Sequence, residues 1–554
     1  MFTCKNCGGN VKFDIKSGQL ACEYCHSFFD PYDYDDKTSD AEVQEGFEAT
    51  IFSCPQCGGE IISTDDTAAG FCSFCGASTV LYSRIQKEQK PAYIIPFQKT
   101  KEDCKQAYSS YMQKAFFVPN ELKAPEFIDG FRGIYMPYWT YKVVQKAPIS
   151  LPAKNTYHSG DYVISDYYRA EGDLDAYYEG ISFDSSSSFD SSISEALSPY
   201  DIKDIKRFTP AFLSGFYADR ADLPSNVYES DAIEAACKNT LKEVKGVPAF
   251  IGVALDCEPI VFSPVSTIEK AERSMFPVWF LSYQNKDRVA YATVNGQTGK
   301  VYADLPVSIG KFLIGSLIAA IPVYMLLYTL TVLTPGITLT IVGLLAIIAN
   351  ICYSHELTMI ITKESGSEDK GLFAKEHPEE LSAFDTQRHL NASRKAANKI
   401  TVKITEKITE KITVEKAIKF VLNCIAVIYI IISTLSAIMY IRGIAGFSNA
   451  DGSFILFTLL TIVAFVFSII SFKKFIQLHV LKGSIGLIFG MLSMLAGNAV
   501  LFMQPVLDAW YYGVSFIIIL SVLNTLINVI HAFNILTTRK LPQFDTHKGG
   551  DDRA

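Results

Sequence analysis

Cys4-Lys5-Asn6-Cys7-Gly8 is answered by Cys22-Glu23-Tyr24-Cys25-His26, and the arrangement returns as Cys54-Pro55-Gln56-Cys57-Gly58 and Cys72-Ser73-Phe74-Cys75-Gly76. Fourteen residues lie between Cys7 and Cys22, and fourteen again between Cys57 and Cys72. Two cysteines separated by two residues can turn both thiolates toward one tetrahedral ion. A second pair on a neighbouring hairpin then completes the sphere, with Zn–S bonds of ~2.3 Å. The spacing therefore marks Cys4, Cys7, Cys22 and Cys25 as one candidate ligand set and Cys54, Cys57, Cys72 and Cys75 as another. Two structural zinc ions are expected; rubredoxin-like iron and a dithiol redox pair are the competing uses. Four thiolates leave no open coordination position, which argues against a catalytic metal.

Working outward, Val11-Lys12-Phe13-Asp14-Ile15 alternates as a strand does, and Lys16-Ser17-Gly18-Gln19 supplies a turn. The second copy repeats this with Glu60-Ile61-Ile62-Ser63-Thr64 and a turn through Asp65-Asp66. Each copy reads as a small β ribbon in an internal duplication. Gly8, Gly58 and Gly76 follow a second cysteine, where glycine can take positive φ. His26 departs from that pattern, either as a substitute ligand or as an exposed bystander. The N-terminal Met1-Phe2-Thr3-Cys4-Lys5 lacks the basic and apolar regions of a signal peptide, so the thiols are expected to start in a reducing cytosol.

The chain has 554 residues, 50 Lys plus Arg, 58 Asp plus Glu and 49% hydrophobic residues. Its mean hydropathy of +0.18 sits oddly beside 19% charged residues and points to an uneven distribution. Residues 1–305 carry 29 basic and 42 acidic side chains, a net of −13; residues 306–554 carry 21 and 16, a net of +5. This excludes a generally basic nucleic-acid binder and a small disulfide-stapled secreted domain. Nucleic acid also needs Lys and Arg against its phosphates. The second ribbon has none between Ile51 and Ser83, and Asp30–Glu48 holds eight acidic residues and one Lys.

Residues 85–305 read as an α+β cytoplasmic body. Nineteen of the 29 Tyr lie between 82 and 302, which favours strands. Helices are expected at Lys101–Phe116, Ile202–Arg207 and Asp231–Lys245, and the Ser-rich Asp184–Ser194 as a flexible loop or hairpin tip, with calcium at Asp184 and Asp190 a weaker alternative. Asn295-Gly296-Gln297-Thr298-Gly299-Lys300-Val301 fails the phosphate-loop pattern and reads as a hairpin turn. No catalytic motif is present, so a non-enzymatic binding or scaffold module is expected.

From Phe312 the character changes. Apolar stretches suited to a ~30 Å hydrocarbon core occur at Phe312–Val332, Ile337–Tyr353, Ala417–Ile441, Phe454–Phe472, Leu481–Met503 and Trp510–Phe533. Lys473, Lys474, Lys482, Arg539, Lys540 and the basic connection Ser354–Lys416 lie on one side by the positive-inside rule, predicting cytoplasmic N- and C-termini. Within that connection Ile400, Ile404, Ile408 and Ile412 recur every four residues, which favours an amphipathic helix over a strand. No stretch holds a central charge of the kind that marks an ion path. Gly486 and Gly490 make a packing seam, with Asn524 and Asn528 as interhelical hydrogen-bonding groups.

The paired ribbons, Ile94-Ile95-Pro96-Phe97, Gly133-Ile134-Tyr135-Met136-Pro137-Tyr138-Trp139 and Asn295–Lys300 before a membrane hairpin together resemble bacterial membrane-anchored proteins carrying TFIIB-type double zinc ribbons. The resemblance covers roughly residues 1–350. Some members look linked to phage-shock-type envelope-stress operons, beside SPFH and TPM-domain partners. The basic linker and four further spans depart from the simpler members. Similar proteins are sometimes labelled primosomal helicases, which the missing phosphate loop argues against.

The expected organisation is multidomain: zinc ribbon 1 at 1–29, an acidic linker at 30–50 and zinc ribbon 2 at 51–84. The α+β body follows at 85–305, a transmembrane hairpin at 306–353 and the amphipathic linker at 354–416. A four-helix transmembrane region at 417–538 and a tail at 539–554 complete an all-α membrane region of about six helices. The leading expectation is a multi-pass cell-membrane protein, bound to the lipid bilayer, that recruits cytoplasmic protein partners. A transporter or membrane enzyme using the last four spans, and a membrane-tethered nucleic-acid-binding regulator, are the alternatives. Cys104, Cys237, Cys257, Cys352 and Cys424 have no assigned task.

Overall fold

A computed structural model describes residues 2–34, 47–57, 59–63, 72, 74–75, 82–187, 190–248, 254–255, 257–285, 288–330, 334–364, 370–376, 379, 452–477 and 485–540. In the first cysteine repeat β1 (Val11–Asp14) and β2 (Gln19–Cys22) pair antiparallel, and β3 (Phe28–Phe29) adds to β2. Alternation puts Val11, Phe13 and Leu20 inward, all buried. That face docks on the turn Pro210–Leu213. The Phe13 ring meets Phe212 edge-on at 5.4 Å, and the Phe13 N–H donates to the Ser214 carbonyl at 3.0 Å. Each phenylalanine buried this way contributes roughly 1.5–3 kcal/mol, enough to hold the repeat against the body.

The second repeat supplies β4 (Phe47–Ser53), β5 (Glu60–Ser63) and β6 (Tyr82–Glu88), with β4 central and both neighbours antiparallel. The body follows with β7 (Tyr93–Ile94), α1 (Lys101–Gln113) and α2 (Pro125–Ile128). Thr100 and Asp103 form a reciprocal capping box at the start of α1. Two long strands come next, β8 (Arg132–Ser159) and β9 (Tyr162–Asp184). Then come α3 (Ser191–Leu197), β10 (Lys206–Arg207), β11 (Tyr217–Asp219), α4 (Glu229–Gly246) and β12 (Ala254–Leu255). The body ends with β13 (Ser266–Asn285), β14 (Arg288–Asn295) and β15 (Val301–Ala303).

Strands β4–β15, with one more from Arg539–Lys540, share one 13-stranded sheet, whose main path runs β10-β7-β13-β8-β11-β5-β4-β6. The strands of the second repeat therefore belong to the body: Ile61, Ile62 and Ser63 of β5 lie opposite Asp219, Ala218 and Tyr217 of β11. The strand β6 also runs past the expected boundary at 84. Pro137-Tyr138-Trp139 and a second Pro-x-Trp run, Pro277-Val278-Trp279, are neighbours in the sheet, with Pro137 opposite Met275 and Pro277 opposite Tyr135.

The hairpin β8–β9 is the least typical element, with strands of 28 and 23 residues. Its register runs from Tyr138 opposite Asp184 to Ser159 opposite Tyr162, and Gly160 at φ 60° opens the connection. At ~3.3 Å per residue β8 covers roughly 90 Å of strand path. Near its base the hairpin is buried; farther out α4 covers Leu151, Ala153, Ala170 and Leu174 on one face. Beyond that brace Tyr157, Tyr162, Tyr167 and Tyr168 are exposed.

Two local expectations are corrected. Asp184–Ser194 is not a loop throughout: Asp184 ends β9, Ser185 and Ser186 are buried, and Asp190 caps α3 by accepting from the Ser192 N–H at 2.8 Å. Serine content misled because these hydroxyls face protein rather than water. Ile202–Arg207 is not one helix but a 3-10 turn, Ile202–Asp204, followed by β10, which pairs with β7 through Lys206 and Ile94. The sheet edge overrides the weak local helix preference.

The C-terminal part is helical: α5 (Ile309–Leu330), α6 (Pro335–Glu364), the short α7 (Lys370–Glu376), α8 (Gly452–Gln477), α9 (Ile485–Met503) and α10 (Ala509–Leu536). Three segments among the described residues are long and apolar enough to cross a membrane: Ile309–Leu326, Pro335–Ile361 and Ala509–Leu536. The helix α6 continues eleven residues past the expected end at Tyr353 because Tyr353, Leu357 and Ile360 stay on one face, packed with Ala532 of α10. Phe457 of α8 fits where Gly343 and Gly497 leave room; a Cβ at either would lie within 2.7 Å of its ring. The helices are also joined by Asn350 to Ser468 at 3.1 Å and Thr458 to Asn498 at 2.9 Å. The expected Ala417–Ile441 span, the isoleucine repeat at 399–412 and most of the acidic linker lie outside the described residues.

After α10 the chain returns to the body as β16 (Arg539–Lys540), which pairs with β14. Arg288 donates to the carbonyls of Ile535 and Thr538, each at 2.9 Å. Asn534 exchanges hydrogen bonds with the backbone of Val307 at 2.7 and 2.9 Å. Arg539 reaches Asp190 at 2.9 Å. Burial raises the Asp304 carboxyl above its ordinary range, against the opposing pull of Arg539.

Candidate metal centres

The pairs Cys4/Cys7, Cys22/Cys25 and Cys54/Cys57 each sit at a tight backbone turn. The N–H of Gly8 donates to the Cys4 carbonyl at 2.8 Å, and that of His26 to the Cys22 carbonyl at 3.0 Å. Behind them the N–H groups of Cys4, Cys22 and Cys54 donate to Gly9, Ser27 and Gly59 at 2.6, 3.0 and 2.9 Å. These turns aim the thiols inward. Asn6 and Gly59 each offer an N–H to a sulfur, Cys4 and Cys57, at 3.4 Å. Such donors stabilise thiolate over thiol.

The eight expected ligands come together in two groups, Cys4/Cys7/Cys22/Cys25 and Cys54/Cys57/Cys72/Cys75, with ligand atoms within 4.8 Å of one another in each. Sulfur pairs approach to 3.5 Å in the first group (Cys4–Cys25, Cys7–Cys22) and to 3.8 and 3.7 Å in the second (Cys54–Cys75, Cys57–Cys72). A tetrahedron with ~2.3 Å bonds has edges of about 3.8 Å, so both groups fit a four-thiolate ion site. The separations are far beyond the ~2.05 Å of a disulfide. Either cluster could hold a metal ion such as zinc.

The thiols bear on one another strongly. Ser27 pulls Cys25 down to about 6. Against the pull of the Gly9 backbone, Cys25 and Cys22 push Cys7 up to about 12. In the second group Cys57 and Cys72 are driven upward, chiefly by Cys54, while Cys54 itself is driven down by Cys57 and its other neighbours. Four sulfurs this close cannot all carry charge without a cation among them, and a divalent ion removes the conflict.

The groups differ in surroundings. Cys7 and Cys25 are exposed, whereas all four sulfurs of the second group are buried. His26 is no part of either group. Its φ of 54° matches the left-handed conformation of Gly8 at 73°, so it performs the turn that glycine performs in the other knuckle. Of the remaining cysteines, Cys104 is fully buried on α1, where desolvation raises its thiol, and Cys237 is buried beside Gln145 and Ser266.

Sequence reasoning did not anticipate the exposed tip of the β8–β9 hairpin. Its signal is a cluster of tyrosines around Gly160-Asp161, which reads as ordinary strand composition until its burial is seen.

No family model matches the chain, and no solved structure matches it. It is similar to a protein of Bacillus subtilis (strain 168) described as the uncharacterized protein YdjG. The two are 26% identical over 322 residues, 56% of this chain and 91% of that relative.

Proposed function

We propose that the chain is a non-enzymatic membrane scaffold, multi-pass in the cell membrane, whose cytoplasmic part recruits protein partners. Two structural zinc ions, one per cysteine repeat, lock that part. The observation that carries this reading is the β8–β9 arm. Its aromatic tip is exposed, and it runs away from the end of the sheet where β16 rejoins β14. An arm rooted beside apolar helices and tipped with tyrosine suits protein recognition at a distance from the bilayer, since tyrosine combines apolar area with a polar tip.

β16 pairs with β14, so the chain comes back to the body's side after α10, which requires an even number of crossings. The proposed six spans meet that condition, as any even number does. Lys370 and Lys375 of the basic connection reach Asp231 and Asp222 of the body at 2.5 and 2.9 Å, as expected if connection and body share the cytoplasm. Envelope stress and partners of the SPFH or TPM-domain kind are carried by the resemblance alone.

The test is site-specific photo-crosslinking from Tyr167 in cells, with the same probe placed at the buried Tyr135. A discrete adduct from Tyr167 alone, lost on Tyr162→Ser, supports recruitment by the tip. No adduct, or equal adducts from both positions, counts against it.

A further inference from the structure

A cavity of about 310 Å³ lies where the first repeat, the second repeat and the body meet. Its wall carries three cations, Lys12 from β1, Lys101 from the first turn of α1 and Arg132 from the start of β8. Four aromatic residues, Phe131, Phe216, Tyr217 and Trp279, share it. Among the described residues no carboxylate lines the cavity; Glu23, which pairs with Lys12 at 2.8 Å, is not in its wall. The volume falls at the lower end of the ~300–1,000 Å³ range of small-molecule sites.

The wall is braced. Trp279 Nε1 donates to the Lys99 carbonyl at 2.9 Å, which fixes the indole. Phe216 stacks on Phe97 at 4.4 Å between centroids. Gly133 lies beneath that ring, where a Cβ would come within 2.5 Å of Phe216. Lys101 loses affinity for its proton, first through burial and then through the nearby charges of Arg132 and Lys105. Positive charge is thus gathered from three elements that are far apart in sequence, against a fixed aromatic surface.

We infer that this cavity binds a small phosphate-bearing metabolite with a flat aromatic part, of the size of a nucleoside monophosphate. The phosphate would sit among Lys12, Lys101 and Arg132, where a dianion accepts charge-assisted hydrogen bonds and relieves the repulsion between Lys101 and Arg132. The ring would lie along Phe216 and Trp279. Because Lys12 belongs to the first repeat, the ligand would bridge that repeat to the body.

The test is calorimetric titration of the zinc-loaded full chain in detergent, with adenosine monophosphate, adenosine and inorganic phosphate as separate probes. Adenosine monophosphate should bind saturably and shift tryptophan fluorescence. Its affinity should fall about tenfold or more in Lys101→Gln and again in Arg132→Gln, with circular dichroism and zinc content unchanged. Adenosine and phosphate should each bind at least tenfold more weakly. No saturable binding up to millimolar nucleotide, or an affinity unchanged in both variants, would overturn the site. Phosphate binding as tightly as the nucleotide would overturn the aromatic part of the ligand class.

Discussion

The two cysteine repeats share a ligand spacing and little else. The first is a three-stranded sheet of its own, docked on the body through Phe13 and Phe212, with two of its four sulfurs exposed. The second gives its strands to the 13-stranded sheet and buries all four sulfurs. Tyr291 donates to its Phe74 carbonyl at 2.9 Å, and Arg220 joins Glu60 and Glu88 at 3.0 and 3.2 Å. Ligand spacing encodes the metal geometry, while the flanking residues decide whether the ribbon is an accessory or part of the core.

The largest contrast should appear when one ligand is removed from each. Structural zinc stabilises such ribbons by roughly 10–16 kcal/mol, comparable to the whole stability of a domain. Cys57→Ser should therefore abolish cooperative unfolding of the entire body, followed by circular dichroism on heating. Cys7→Ser should lower bound zinc from two ions to one and leave the body's transition in place. Matching melting curves for the two variants would erase the distinction between the repeats.

Exposure predicts an order of events as well. With a chelator and a thiol reagent in excess, labelling read by mass spectrometry should reach Cys7 and Cys25 before any cysteine of the second group. Simultaneous labelling would mean that the repeats open together.

Ser27 offers a smaller test through acidity. It holds the Cys25 thiol down at about 6, so thiolate persists at neutral pH. A depressed acid contributes above its unshifted value and is lost as pH falls through the shifted one. Ser27→Ala should therefore move acid release of the first zinc to higher pH and leave the second unchanged, as measured with a zinc-sensitive dye. The smallest effect concerns the knuckles. Gly8→Ala, at φ 73°, should cost about 1–2 kcal/mol in the first repeat, whereas His26→Gly should be neutral or slightly stabilising.

The ligand groups were legible because tetrahedral chemistry imposes a short local pattern on the cysteines. The apolar helices were legible because burial in lipid leaves long uncharged runs. The merger of the second repeat with the body was not. It rests on β5 meeting β11, two short strands some 150 residues apart with nothing local to name the partner. The long hairpin escaped because its outer part is wet on both faces, so Tyr157–Tyr168 carries no inside–outside alternation to read. The cations around the cavity come from three separate elements, and only folding brings them together.

The most direct test of this account is the metal content of the intact chain before and after brief chelation, with thermal unfolding measured on the same samples. Two zinc ions per chain at the outset are predicted, then one, with the body's transition preserved. Bound iron, a single ion at the outset, or loss of both ions together with the body's fold would contradict it.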